Sequence, residues 1–130
     1  MLSESDIYAR LGEEGFARIV RAFYARVPRD SVLGPMYERS LAGRGDGMEE
    51  AERRLRDFLI GRFGGPMRYV QENGHPRLRM RHGRFVIDAG AAERWLAVME
   101  EAMAEAGVEP DVAEALRPYF RQTALHMVNR

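Results

Sequence analysis

The chain has no cysteine and no lysine. Without a thiol there is no disulfide, no zinc ribbon, no iron–sulfur cluster and no thiolate bond to a metal. All twenty basic residues are arginine and are balanced by twenty Asp and Glu, so the formal net charge is zero. No bulk field therefore draws the protein to nucleic acid or to an anionic membrane. The arginine-only usage carries no functional reading. No apolar run approaches the roughly 18 residues of a membrane span. The acidic opening MLSESDIYAR lacks the apolar centre of a signal peptide, and a soluble cytoplasmic protein is expected. No segment alternates apolar and polar residues over any length, which argues against strands. HExxH, GxSxG and Walker patterns are missing. Three histidines without cysteine are too few for a conventional zinc site, and the Glu-x-x-His pairs of a di-iron bundle are missing too.

What is present reads as one all-α domain spanning residues 1–130, 45% hydrophobic and long enough for a real core. Ser3 and Asp6 form a capping-box pattern opening a short helix to about Leu11, with Gly12 and Gly15 as its breakers. Phe16, Ile19, Val20, Phe23, Tyr24 and Val27 then recur with helical period up to Pro28. Ser31 is expected to cap one further turn stopped by Gly34–Pro35, with residues 40–47 (SLAGRGDG) as a glycine-rich loop without a phosphate-binding pattern. Met48, Ala51, Leu55, Phe58 and Leu59 mark the next helix, ended by Gly64–Gly65–Pro66. Glu49, Glu50 and Glu52 read as its solvated face. Asp88 leads into a helix with Ala92, Trp95, Met99, Met103 and Ala106 on one face, closed by Gly107. Pro110 starts the last helix, whose inward residues are Val112, Leu116, Phe120, Thr123, Ala124 and Met127. Pro118 inside it predicts a kink or break near Arg117, since an interior proline costs roughly 3 kcal/mol.

Chemistry concentrates in residues 73–87, NGHPRLRMRHGRFVI. Pro76 suits a first helical position and Gly83 a left-handed cap, so Pro76–His82 reads as about two turns of helix. His75, before the proline, is pushed out of the α region. Leu78, His82 and Phe85 share a face, and Arg79 and Arg81 flank it. A neutral imidazole on an apolar wall between guanidinium groups suits haem: nitrogen ligates iron, and arginine pairs with propionates. A hydrogen-bonded core histidine beside a solvated arginine face is the competing reading. The inward polar aromatics Tyr24, Tyr37 and Trp95, with no other polar core groups expected, favour a ligand pocket over simple packing.

GHPRLRMRHGRF at 74–85, GGP at 64–66, FYARV at 23–27, ERWL around Trp95 and MVN at 127–129 together resemble the truncated haemoglobins, group II branch, over residues 7–129. The resemblance implies a two-over-two helical sandwich, helices B and E against G and H, with haem b between them. It implies His82 as the iron ligand, with Arg81 and Arg54 toward the propionates. Leu78, Phe85, Ile87, Phe58 and Leu59 would pack on the haem. Tyr24, Tyr37 (just after a short third helix) and Trp95 would be the distal donors, beside Ala51 and Leu55. Ala51 takes the place where many globins keep a distal histidine.

Such a site takes O₂, CO or NO. Donors aimed at the partial negative charge of O₂ slow its release, which suits a tight binder that detoxifies NO or peroxide with an unidentified reductase. A simple oxygen carrier or sensor without turnover, and a haem-free helical module whose arginines bind an acidic partner, are the alternatives. No nucleic acid or membrane partner is expected.

Overall fold

The structure, a computed structural model, describes residues 2–44, 47–73 and 87–129. Helix α1 spans Glu4–Arg26. At its start the Asp6 carboxylate accepts the Ser3 N–H at 3.0 Å and the Ser3 hydroxyl at 2.9 Å. Gly12, at φ 65°, bends α1 into two limbs, a left-handed conformation that glycine adopts without penalty. Gly15 breaks nothing, contrary to expectation. It is helical and buried, and a Cβ there would meet the Leu11 side chain at 2.9 Å, so it permits close packing within a continuing helix.

A 3₁₀ turn, Val27–Arg29, leads to α2, Leu33–Arg44. Three expectations fail here. Gly34–Pro35 stops no helix but lies in the first turn of α2, where a proline's missing N–H has no partner to lose. The supposed loop is helical through Arg44, so Tyr37 sits within a helix. The cap is not Ser31 either: the Asp30 carboxylate accepts the N–H groups of Val32 at 3.0 Å and Leu33 at 2.8 Å.

Helix α3 is Met48–Arg62, followed by Gly64 at φ 104° and the short α4, Arg68–Asn73. Helix α5, Ala89–Glu105, is capped by Asp88, which accepts the Ala91 N–H at 2.8 Å, and ends before Gly107 at φ 72°. Helix α6, Pro110–His126, runs unbroken through Pro118. Pro118 is on the exposed face, so the carbonyl that loses its helical N–H partner there faces water, and the expected break does not occur.

Helix α1 is central: it packs most extensively on α5 and α3 and also meets α6, while α5 packs on α6 and α3 on α4. Phe16, Ile19, Val20 and Phe23 of α1 meet Leu59, Ile60, Met99 and Leu116 in a core where each is almost wholly buried. A fully buried side chain of this size stabilises by roughly 1.5–3 kcal/mol. Two polar side chains, Ser40 and Asp57, are also buried, against the expectation of none beyond the aromatics. Arginine–carboxylate pairs tie the helices at the surface: Arg62–Glu4 at 2.6 Å, Arg68–Glu13 at 2.6 Å and Arg10–Asp111 at 2.9 Å. Among the described residues the fold is all helical, and no helix is long and apolar enough to cross a membrane.

Candidate functional site

Three elements deliver the inward polar aromatics to one place. Tyr24 comes from the end of α1, Tyr37 from one turn inside α2, and Trp95 from the middle of the first half of α5. Tyr24 and Tyr37 are 9% and 7% exposed, and Trp95 is half-buried against the same core. The Trp95 indole N–H donates to the Tyr37 hydroxyl oxygen at 3.2 Å. The Tyr24 and Tyr37 rings meet edge to face with centroids 5.9 Å apart. Phe23 backs the group, 5.2 Å from Tyr24 and 5.4 Å from Trp95 between centroids.

Burial disfavours a phenolate, so both tyrosines are held neutral. Desolvation raises the Tyr24 hydroxyl well above its ordinary value, and its neighbour Tyr37 acts in the same direction. Tyr37 is pushed up to about 12, chiefly by burial, with the Trp95 and Tyr24 hydrogen bonds acting the other way. At neutral pH the cluster is therefore three uncharged polar groups, with the Trp95 N–H on the Tyr37 oxygen.

A small cavity of ≈ 30 Å³ borders this pair, lined by Tyr37 and Trp95 together with Met36, Ile87, Ala92 and Met127. Its walls are apolar except for the phenol and the indole. Ile87 is fastened there through its backbone: its N–H donates to the Asn129 side-chain oxygen at 2.9 Å, and its carbonyl accepts the Asn129 N–H at 2.8 Å.

The family model for bacterial-like globins matches residues 6–129. The chain belongs to the bacterial-like globins. Within them this globin goes with the group II truncated haemoglobins. It is 37% identical over 123 residues to the group 2 truncated haemoglobin YjbI of Bacillus subtilis, covering 95% of this chain and 88% of that one. It resembles the structure of a truncated oxygen-avid haemoglobin from Bacillus subtilis, TM-score 0.83, covering 95% of this chain and 98% of that one at 37% identity. It is likewise similar to a thermostable haemoglobin from the actinobacterium Thermobifida fusca, TM-score 0.84, covering 95% and 96% at 40% identity. The two-over-two architecture of the globin is that of these structures.

Membership implies haem, and the donor set can be tested against it. Tyr24, Tyr37 and Trp95 supply O–H and N–H groups with no carboxylate among them, set in apolar walls. That is the chemistry of a pocket for a neutral, electron-rich diatomic beside an apolar macrocycle, so the described residues fit the group. On α3, Ala51 and Leu59 are buried at 7% and 1% exposure, and Leu55 and Phe58 are half-buried against the core. The Phe58 ring also packs on Tyr69 of α4, edge to face at 5.4 Å. Arg54 is half-buried on the same helix, and its charge acts on the Tyr24 hydroxyl. His82, Arg81, Leu78 and Phe85, with the helix expected over 76–82, lie outside the described residues. His126 is exposed in the last turn of α6.

Sequence reasoning missed Asp30 and Arg94. Besides capping α2, Asp30 receives the Arg94 Nε–H at 3.0 Å and the Arg94 Nη2 group on the same oxygen. Burial alone would raise the Asp30 pKa, but the guanidinium and the two backbone N–H groups outweigh it and hold the carboxyl below the usual carboxylate range. An Asp three residues before a helical Leu is a recognisable cap signal. Ser31, an equally good capping type, obscured it.

Proposed function

We propose that this globin binds haem b through His82 and holds O₂ tightly, serving to detoxify NO or peroxide with an electron donor rather than to carry oxygen. Arg81 and Arg54 would pair with the propionates. Leu78, Phe85 and Ile87 on one side, and Leu55, Phe58 and Leu59 on the other, would enclose the macrocycle. Bound haem supplies a ferrous iron that takes O₂, CO or NO on its open side. The protein's own contribution is the distal cluster. Ala51 leaves room at the α3 wall. Tyr37 accepts the Trp95 N–H, and a phenol that accepts a hydrogen bond on its oxygen is a stronger donor through its own hydrogen.

The observation that carries this reading is the 3.2 Å Trp95–Tyr37 hydrogen bond, at the edge of an apolar cavity. Such donors strengthen contact with a partly negative ligand and slow its departure, which suits poorly a carrier that must unload. The oxygen-avid Bacillus subtilis haemoglobin, with which this globin shares fold and 37% identity, supports the same direction. The test is Trp95→Phe, which keeps a ring and removes the donor. A hydrogen bond to a charged acceptor is worth roughly 1.5–3 kcal/mol, so O₂ release should quicken by a factor of about 10 to 150, and CO release should respond less. An O₂ off-rate within about two-fold of wild type would reduce Trp95 to packing. Stoichiometric loss of the oxy spectrum on adding NO, with a reductant sustaining turnover, separates detoxification from a carrier or sensor.

A further inference from the structure

We infer that the Asp30–Arg94 ion pair is a positioning device for the distal donors: it fixes α2 against α5 at the separation where the Trp95 N–H meets the Tyr37 hydroxyl. Both partners are placed for this. Arg94 immediately precedes Trp95 in α5. Asp30 caps α2, and Tyr37 stands one turn beyond the first residue of that helix.

Helix α2 packs on the 3₁₀ turn before it and only lightly on α5. The turn side is held closely, because a Cβ on Gly34 would already come within 3.2 Å of the Val27 and Pro28 carbonyl oxygens. Among the described residues the α5 side is packed more lightly, and there the carboxylate adds a tie. One oxygen of Asp30 serves the helix, accepting from Val32 and Leu33 at 3.0 and 2.8 Å. The other serves Arg94, accepting its Nε–H at 3.0 Å. The group that starts α2 is thus the group fastened to α5.

Asp57 makes similarly buried contacts with Arg53 and Arg56 inside α3, but the Asp30 pair joins two elements and differs from the exposed pairs that do so. Its carboxylate side chain is only 6% exposed, whereas both partners of Arg117–Glu100 are 48% exposed. A buried carboxylate is poorly screened by salt and tolerates little change of geometry. At 3.2 Å the Trp95–Tyr37 bond lies at the long end of the normal range, so a sub-ångström shift of α2 along α5 is enough to break it.

The consequence for ligand binding rests on the proposed distal role of Trp95 and Tyr37; the positional claim does not. The chain holds a single tryptophan, so the full-length protein gives one indole N–H signal in a ¹H–¹⁵N spectrum. Arg94→Met keeps the aliphatic stem and leaves Asp30 free to cap α2. Its indole signal should move most of the way to that of Tyr37→Phe, and adding Arg94→Met to Tyr37→Phe should move it no further. Arg94→Lys, which keeps the charge, should restore part of the wild-type position. In the haem-loaded protein, O₂ release from Arg94→Met should quicken about three- to tenfold, less than when a donor is deleted outright. An unmoved indole signal in Arg94→Met, with only a lowered melting temperature, would overturn the inference and leave a simple structural tie. If the signal moves while even Trp95→Phe leaves O₂ release unchanged, the positioning stands and the distal role of Trp95 falls instead.

Discussion

Around Trp95, polar groups are few, neutral and buried: an indole N–H meets a phenol oxygen at 3.2 Å with a second tyrosine against them. Around α1, they are many, charged and wet: Arg68 meets Glu13 at 2.6 Å with side chains 43% and 46% exposed. The shorter contact is the weaker one energetically. Solvent already satisfies an exposed guanidinium and carboxylate, so pairing them adds little. A buried hydroxyl left without its partner loses hydrogen bonding that water cannot replace. The interior cluster specifies a geometry, while the surface pairs keep the helices soluble and loosely registered. Asp30–Arg94 belongs to both, with a buried carboxylate and a half-exposed arginine.

The largest effect expected to sharpen this contrast comes from the histidines. His82→Ala should abolish retention of haem, read as loss of the Soret band. His126→Ala, on the exposed last turn of α6, should leave the band intact. A Soret band surviving in His82→Ala would move the iron to another ligand. Tyr37→Phe comes next. It removes the acceptor of the Trp95 N–H and should lower stability by about 1 kcal/mol in denaturant titration. It should also quicken O₂ release, and not additively with Trp95→Phe, because the two share one contact.

The two regions should also separate by pH. Tyr24 and Tyr37 have raised pKa values in the folded state, Tyr37 to about 12 from an ordinary 10. The stability they contribute is present below pH 10 and lost as pH rises through the raised values, about 12 for Tyr37. Glu4, Glu13, Asp30 and Asp111 have lowered values. Their contribution is present above the ordinary carboxylate range and is lost as pH falls through the lowered values. Melting curves should therefore hold level through neutrality and fall at both ends, and Tyr37→Phe should blunt only the alkaline fall. The smallest effect is expected of Arg68→Gln. Its melting temperature should match wild type at high salt and fall slightly at low salt, where the Glu13 pair is unscreened.

Composition and periodicity determined that this chain is helical, and they determined which faces are buried. Phe16, Ile19, Val20 and Phe23 follow the helical repeat, and burying them requires no knowledge of their partners. Gly12, Asp88 and Gly107 were legible as boundaries because each acts through its own backbone or side chain within one turn. Gly34, Pro35 and Pro118 misled because what a proline does to a helix depends on whether its turn is the first one or faces water, and that is set by neighbours distant in sequence. Trp95 and Tyr37 could each be read as inward. That the indole N–H lands on the phenol oxygen was decided only by tertiary structure, since their positions in sequence are 58 apart and no local rule relates them. The same holds for Asp30 and Arg94, 64 apart. A side chain's direction is fixed by its own helix, whereas its partner is fixed by how that helix packs on another.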